Sequence, residues 1–203
     1  MRFLIISFCF VLVSCGSYSK KYELQSEPVV TKSIENKYFD SKVTDYVYKS
    51  NITVYGNNFG GLLIVKKLAE NNHRMAFTTE FGNKIFDFSF VDDDFKINFI
   101  LEDLNKKMLI NILQEDFSTL IKSNLPVTAA FKKDNFNVLK SESTKTDLYY
   151  YFLNSDLSKI EKVKHQKAKT IFLFSEIKNN IAQQIEIVHQ SIKLHIKLNA
   201  LNQ

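Results

Sequence analysis

The stretch from Phe86 to Phe99 carries the most regular pattern in the chain. Phe86, Phe88 and Phe90 alternate with Asp87 and Ser89, and Phe95, Ile97 and Phe99 alternate with Lys96 and Asn98. Apolar residues at every second position mark strands with one buried face. A two-residue turn at Asp92-Asp93 sets Phe90 against Phe95, Phe88 against Ile97 and Phe86 against Phe99, all six on one face. A slip by one residue would turn every ring to water, so the pattern carries its own register. Upstream, a tight connection at Phe81-Gly82 pairs Phe77 with Phe86 and Met75 with Phe88. "GGLLIVKKLAENNH" adds a strand with a turn at Asn71-Asn72, and "NITVYGNNFGG" a strand with a glycine-rich turn. Together these segments read as an antiparallel meander.

One segment has a different period. Leu104, Met108, Ile112, Leu113, Phe117, Leu120 and Ile121 recur at three- and four-residue steps, which makes an amphipathic helix. Asp103 stands where an N-cap belongs, and Asn124 with Pro126 follows the end. Strands resume with "FNVLKSES", "KTDLYYYFL", "SKIEKVKH" and "KTIFLFSEI". The last hairpin alternates Ile192, Leu194, Ile196 and Leu198 with Lys193, His195 and Lys197. With His189-Gln190 as its turn, Ile187 faces Ile192 and Ile185 faces Leu194. About ten or eleven strands in one sheet would curl or close. The expected fold is therefore mainly β with one major helix: an antiparallel, strongly curved half-barrel with the helix against its concave face.

The amino terminus gives an address. Arg2 precedes "FLIISFCFVLV", an apolar run too short to span a bilayer and suited to a secretory signal peptide. It ends at Leu12-Val13-Ser14-Cys15, which resembles the lipobox of bacterial lipoproteins. That resemblance implies a signal peptide over residues 1–14, an acylated Cys15 as the first mature residue, and anchorage to a membrane by lipid. One acyl chain holds a protein marginally and several hold it firmly. Residues 15–37 then read as a lipidated start and a flexible tether, polar and without sustained periodicity, with a reach of about 70 Å if fully extended. The domain proper is expected over residues 38–203.

Composition narrows the chemistry. Of two cysteines, Cys9 leaves with the signal peptide and Cys15 is taken by lipid, so no thiol remains for a disulfide, metal or nucleophile. The net charge of +5 is spread among 22 acidic residues, without the dense basic run that nucleic acid requires. His73, His165, His189 and His195 have no acidic or thiol partner placed by spacing, and Asp92-Asp93-Asp94 lacks the alternation of a calcium loop. There is no phosphate loop, dinucleotide fingerprint, nucleophile elbow or zinc-protease helix. No enzyme, no cofactor and no metal site is expected.

Three stretches resemble the LolA/LolB family of lipoprotein carriers: "YGNNFGGLLIVKKLAENNHRMAFTTEFGNKIFDFSF", "LSKIEKVKHQKAKTIFLFSEI" and the hairpin from Ile181 to Leu198. The likeness lies in pattern and order and is nearest to the lipid-anchored LolB branch. It implies an unclosed antiparallel barrel with an apolar cavity for acyl chains. In the family's Pro-Leu-Gly turn an exposed Leu enters the membrane; here Glu80-Phe81-Gly82 takes that place, so Phe81 is the candidate for membrane insertion. Its other reading is a ring folded back onto the sheet. Met75, Phe77, Phe86, Phe88, Phe90, Phe95, Ile97 and Phe99 are the candidate lining of the cavity, unless the helix fills it. Gly16 after Cys15 lacks the Asp that favours inner-membrane retention of lipoproteins, so an outer-membrane, periplasm-facing lipoprotein is expected, and the resemblance adds the membrane and a lipid or lipoprotein acyl chain as partners. The alternative is an envelope adaptor that docks a periplasmic protein and needs no cavity.

Overall fold

The computed structural model describes residues 17–143 and 146–201; Cys15 and the signal segment lie outside them. In chain order the elements are α1 (Tyr18–Lys21), β1 (Gln25–Glu27), β2 (Ser33–Ile34), β3 (Asp45–Val54), β4 (Asn57–Ala69), β5 (Asn72–Thr78), β6 (Lys84–Val91) and β7 (Asp94–Ile100). Helix α2 (Lys107–Ile121) follows, then β8 (Leu125–Pro126), β9 (Ala129–Lys133), β10 (Phe136–Glu142), β11 (Asp147–Leu153), β12 (Asp156–Lys164), β13 (Lys167–Lys178), β14 (Ile181–His189) and β15 (Leu194–Ala200).

Thirteen of these strands form one antiparallel sheet in the order β1-β9-β10-β11-β12-β13-β14-β15-β3-β4-β5-β6-β7. Two meanders, β9 to β15 and β3 to β7, are joined where the last strand pairs with the first long one, Ile196 opposite Ile52. The sheet does not close on itself: β1 and β7 are its two edges. Two-residue turns set the registers. Tyr55-Gly56, Asn154-Ser155, His165-Gln166 and Asn179-Asn180 all have both residues at positive φ, the backbone that a tight hairpin needs to match strand twist.

Bulges bend the sheet, as an extra residue in one strand always does. They interrupt the β4–β5, β5–β6, β6–β7, β11–β12 and β12–β13 ladders. Gly61 serves the same curvature. A Cβ there would lie 1.9 Å from the Thr78 carbonyl oxygen, so only glycine lets the two backbones approach this closely.

Helix α2 lies against the concave face. Leu109, Leu113, Phe117, Leu120 and Ile121 are buried in one core with Leu63, Val65, Met75, Phe77, Phe86, Phe88, Ile160, Phe172, Ile185 and Ile196. The buried stripe runs through Leu109 rather than the expected Met108, which is 56% exposed. The reason is a break in the predicted helix. Asp103 sits in a separate 3-10 turn, Glu102–Leu104, and α2 starts only after Lys106, with no side-chain cap. Leu113, Phe117, Leu120 and Ile121 face inward as the pattern requires, and the change is confined to the first turn.

Residues 17–37 differ from the expected tether. Strand β1 pairs with β9, β2 pairs with β8 across the concave side, and Tyr18, Leu24 and Ile34 are buried. Asn36 donates from Nδ2 to the Leu120 carbonyl at 2.9 Å, satisfying a carbonyl in the last turn of α2. The β4–β5 turn is Glu70-Asn71, one residue earlier than expected, because Ala69 pairs with Asn72.

Gly61→Ala is expected to cost about 1–3 kcal/mol by overpacking, whereas Gly60→Ala, with nothing within 4 Å of the added carbon, should be near neutral. Urea denaturation of the two variants side by side checks this. His73 supplies a pH test. It is buried, and its Nε2 bonds the Phe39 carbonyl oxygen at 3.0 Å. Burial lowers its pKa, so the unfolded chain takes up the proton first. Stability should be full above about pH 6.5, the ordinary histidine value, and fall as the pH drops below it. In Tm measured against pH, His73→Gln should flatten that part of the profile.

Candidate functional site

The expected cavity lining separates into two groups. Met75, Phe77, Phe86 and Phe88 have no exposed surface. Phe77 pairs with Phe86 and Met75 with Phe88, as the sequence pattern requires. Phe86 stacks on Phe88 at 4.4 Å and meets Phe117 of α2 at 5.6 Å. These rings are packed core beneath the helix, not the walls of an open hollow. Phe90 is 5% exposed and borders a pocket of about 420 Å³ whose other walls include Lys67, Glu70, His73 and Lys122.

The edge strand departs further. A bulge between Asp87 and Phe88 places Phe86 opposite Ile100 and Phe99 opposite Asp87. Phe99 therefore lies on the convex face, 41% exposed, instead of beside Phe86; Ile97 stays opposite Phe88 but is 38% exposed at the sheet edge. Phe95 is partly buried against Phe88 and Phe90. Asn98 accounts for the bulge: its amide donates to Asp87 at 3.2 Å and to Ser89 at 2.7 Å. Asp87 is buried and ion-paired with Arg74 and Lys84. The bonds from the Arg74 guanidinium above all hold its carboxyl well below the usual range.

The final hairpin has a longer loop than expected. Ile187 pairs with Ile196 and Ile185 with Leu198. The shift is even, so the same residues still face the core. His189 belongs to β14 and not to a turn, because three groups hold it there. It pairs with Thr170 in the ladder, its Nδ1 lies 3.2 Å from Thr170 Oγ1, and its Nε2 lies 2.6 Å from Asp116 Oδ2. Lys162 donates to Glu115 at 3.0 Å and to Asp116 at 3.5 Å. Asp116 has no exposed surface, so this polar clasp ties α2 to the sheet. The sequence pattern missed it because the partners are far apart in the chain.

What remains open on the concave side is divided by the small β2–β8 sheet. On one side is a polar cleft of about 820 Å³, bordered by Glu115, Ser141, Lys162, Lys164, Thr170 and His189. On the other is a cleft of about 650 Å³ beneath the strap of residues 27–37. Pro28, Val30, Ala130, Leu139 and Phe152 form its apolar walls, and Glu27, Glu35, Lys37 and Lys132 its charged rim. Leu139 and Phe152 are partly buried hydrophobics that adjoin the main core.

Phe81 stands apart from both. Thr79 and Asn83 close its turn, the Thr79 N–H donating to the Asn83 carbonyl at 2.8 Å, and Gly82 takes φ +84°. The Phe81 ring is 95% exposed. It does not fold back onto the sheet.

This architecture defines a class: an open antiparallel half-barrel with its concave face closed by one helix and an amino-terminal strap. The same fold occurs in a LolA superfamily protein from Nitrosomonas europaea, with 8% identity and a TM-score of 0.52 over 82% of this chain and 88% of that one. A domain from Vibrio parahaemolyticus, provisionally described as an outer membrane lipoprotein-sorting protein, aligns with 10% identity and a TM-score of 0.47 over 78% and 83% of the two chains. No family model matches the sequence, and no curated protein does. The fold is thus of the LolA type.

Removing one partner from a buried charged group strands the other. Asp116→Ala should destabilise the protein by about 3 kcal/mol or more, since it leaves Lys162 and His189 short of a buried acceptor. Glu115→Ala, whose carboxylate is 58% exposed, should cost less than about 1 kcal/mol. Chemical denaturation of both variants is the measurement.

Proposed function

We propose that this protein is a non-enzymatic, lipid-anchored envelope protein that binds acyl chains, in the manner of a LolB-like lipoprotein carrier. The observation that carries the reading is the cleft beneath the strap. Its volume of about 650 Å³ falls within the range of small-molecule sites, roughly 300–1,000 Å³. Ala130, Leu139 and Phe152 give it an apolar wall beside Ser33, Asn137 and Ser155, and charges of both signs stand at its rim, which suits a hydrocarbon tail with a polar head at the mouth. The acyl site moves accordingly, from the rings of β5 to β7, which α2 covers, to Val30, Leu139 and Phe152.

Two further features support the reading. The lipobox resemblance gives Cys15 as the lipid anchor, and Gly16 after it favours the outer membrane, periplasmic side, as the location. Phe81 presents a whole aromatic ring at the tip of a rigid turn, and transferring such a ring from water to lipid is worth about 1.5–3 kcal/mol. Cys15 serves as the permanent anchor and Phe81 as the transient contact during transfer of the acyl ligand.

A second reading draws on the free edge of β7. Among the described residues no strand pairs with its outward side, and Ile97 and Phe99 are exposed there, a surface on which an extended segment of a periplasmic protein can add a strand. An adaptor of this kind needs no ligand.

The decisive measurement is titration of delipidated protein with a fluorescent fatty acid. Saturable binding is expected, weakened about 10-fold or more by Phe152→Asp, since that change removes most of a buried aromatic contact. Phe81→Glu should leave this binding intact while slowing transfer of the ligand to vesicles. Absence of binding by a folded protein, or indifference to Phe152→Asp, rules out the carrier and leaves the adaptor.

A further inference from the structure

The amino-terminal segment leads to a second surface, on the convex side of the sheet. Tyr18 packs there into a small core with Leu24, Phe131, Val138, Tyr149, Tyr151 and Val163. Its hydroxyl donates to Glu161 Oε2 at 2.6 Å, Tyr151 donates to the same oxygen at 2.7 Å, and Lys159 donates to Oε1 at 2.9 Å. Burial alone would raise the Glu161 pKa, but these three donors outweigh it and hold the carboxyl below its ordinary value. The carboxylate is consumed internally, together with the Lys159 ammonium that pairs with it.

Lys20 and Lys21 are exposed on α1, and Lys133 and Lys159 are partly exposed beside it. Lys21 and Lys133 both approach the half-exposed Tyr22 ring, at 5.2 and 5.9 Å from its centroid, and Lys159 lies 3.8 Å over Tyr151. Glu23 and Asp134 are the exposed acids at the margin. The half-exposed Tyr22 with Lys21 and Lys133 beside it matches a bilayer interface, where the aromatic body and lysine stem sit among headgroups and the ammonium meets lipid phosphate.

The chain outside the described residues supplies the second argument. Cys15 precedes Ser17 by two residues, a reach of about 7 Å at full extension. With Tyr18 held in the convex core, an acylated Cys15 cannot let the domain drift away. We propose that the convex surface around α1 docks on anionic lipid headgroups, so that the domain rests on its membrane in one orientation instead of hanging from a tether. The proximity rests on Cys15 as anchor; the surface chemistry does not.

The test separates the two. The chain from residue 15 with Cys15→Ser contains every described strand and helix and carries no acyl group. It is mixed with vesicles of equimolar phosphatidylglycerol and phosphatidylethanolamine, or of phosphatidylcholine alone, and sedimented. Binding is expected to the anionic vesicles only, and to fade as salt shortens the screening length. Reversal of Lys20, Lys21 and Lys133 to Glu should reduce it about 10-fold or more. Reversal of Lys42, Lys107 and Lys193, exposed elsewhere with the same change in net charge, should reduce it far less. Equal losses from the two sets, or no binding to anionic vesicles, overturns the proposal. Mass spectrometry of the mature amino terminus tests the anchor independently.

Discussion

An open sheet of thirteen strands leaves a curved face of aromatic and aliphatic side chains that water cannot be allowed to reach. Covering that face is the constraint from which the rest of the structure follows. Helix α2 meets it by laying Leu113, Phe117 and Leu120, all but wholly buried, onto the rings of β5 and β6. Each fully buried side chain of this size contributes about 1.5–3 kcal/mol. The helix makes few capping bonds of its own, with no side-chain cap at its start. Its stability therefore comes from the face it covers and from the clasp of Asp116 with His189 and Lys162.

That solution reshapes the candidate site. The half-barrel has one hollow, and the helix occupies the part that the phenylalanine pattern marks out. The strap of residues 27–37 crosses the rest and is pinned by β2 to β8, which divides the remaining space into a polar and an amphipathic cleft. A ligand that reaches the concave side thus meets Leu139 and Phe152, not Phe86 and Phe88. Under the proposed anchorage at Cys15, the strap also changes how the protein relates to a membrane. A free linker would separate anchor and domain, whereas a linker folded onto both faces of the sheet brings them together.

The parts legible in the sequence are those written by local rules. The alternation over residues 86–90, the pairing of Met75 with Phe88 and Phe77 with Phe86, and the turn at Asp92-Asp93 all follow from period-two patterning and turn chemistry. The misreadings have specific physical causes. Phe99 left the inner face because Asn98 bonds Asp87 and Ser89 and forces a bulge, and alternation cannot announce an inserted residue. Asp103 does not cap α2, and Met108 lies off the buried stripe, because the chain makes a separate 3-10 turn before the helix begins. The last hairpin moved by an even step, which left the inward face unchanged and so left no trace in the pattern.

The sequence by itself determined the long strands β3 to β7 and β10 to β15, the one long helix, and which face of most of these strands is apolar, because each depends on neighbours a few residues apart. Only the tertiary structure decided what covers the concave face, where the amino-terminal stretch goes and where an open cleft survives. Those outcomes turn on contacts such as Asp116 with His189, 73 positions apart, and Tyr18 with Glu161, 143 positions apart. Partners so distant impose no periodicity on the chain, and they become visible only when the fold brings them together.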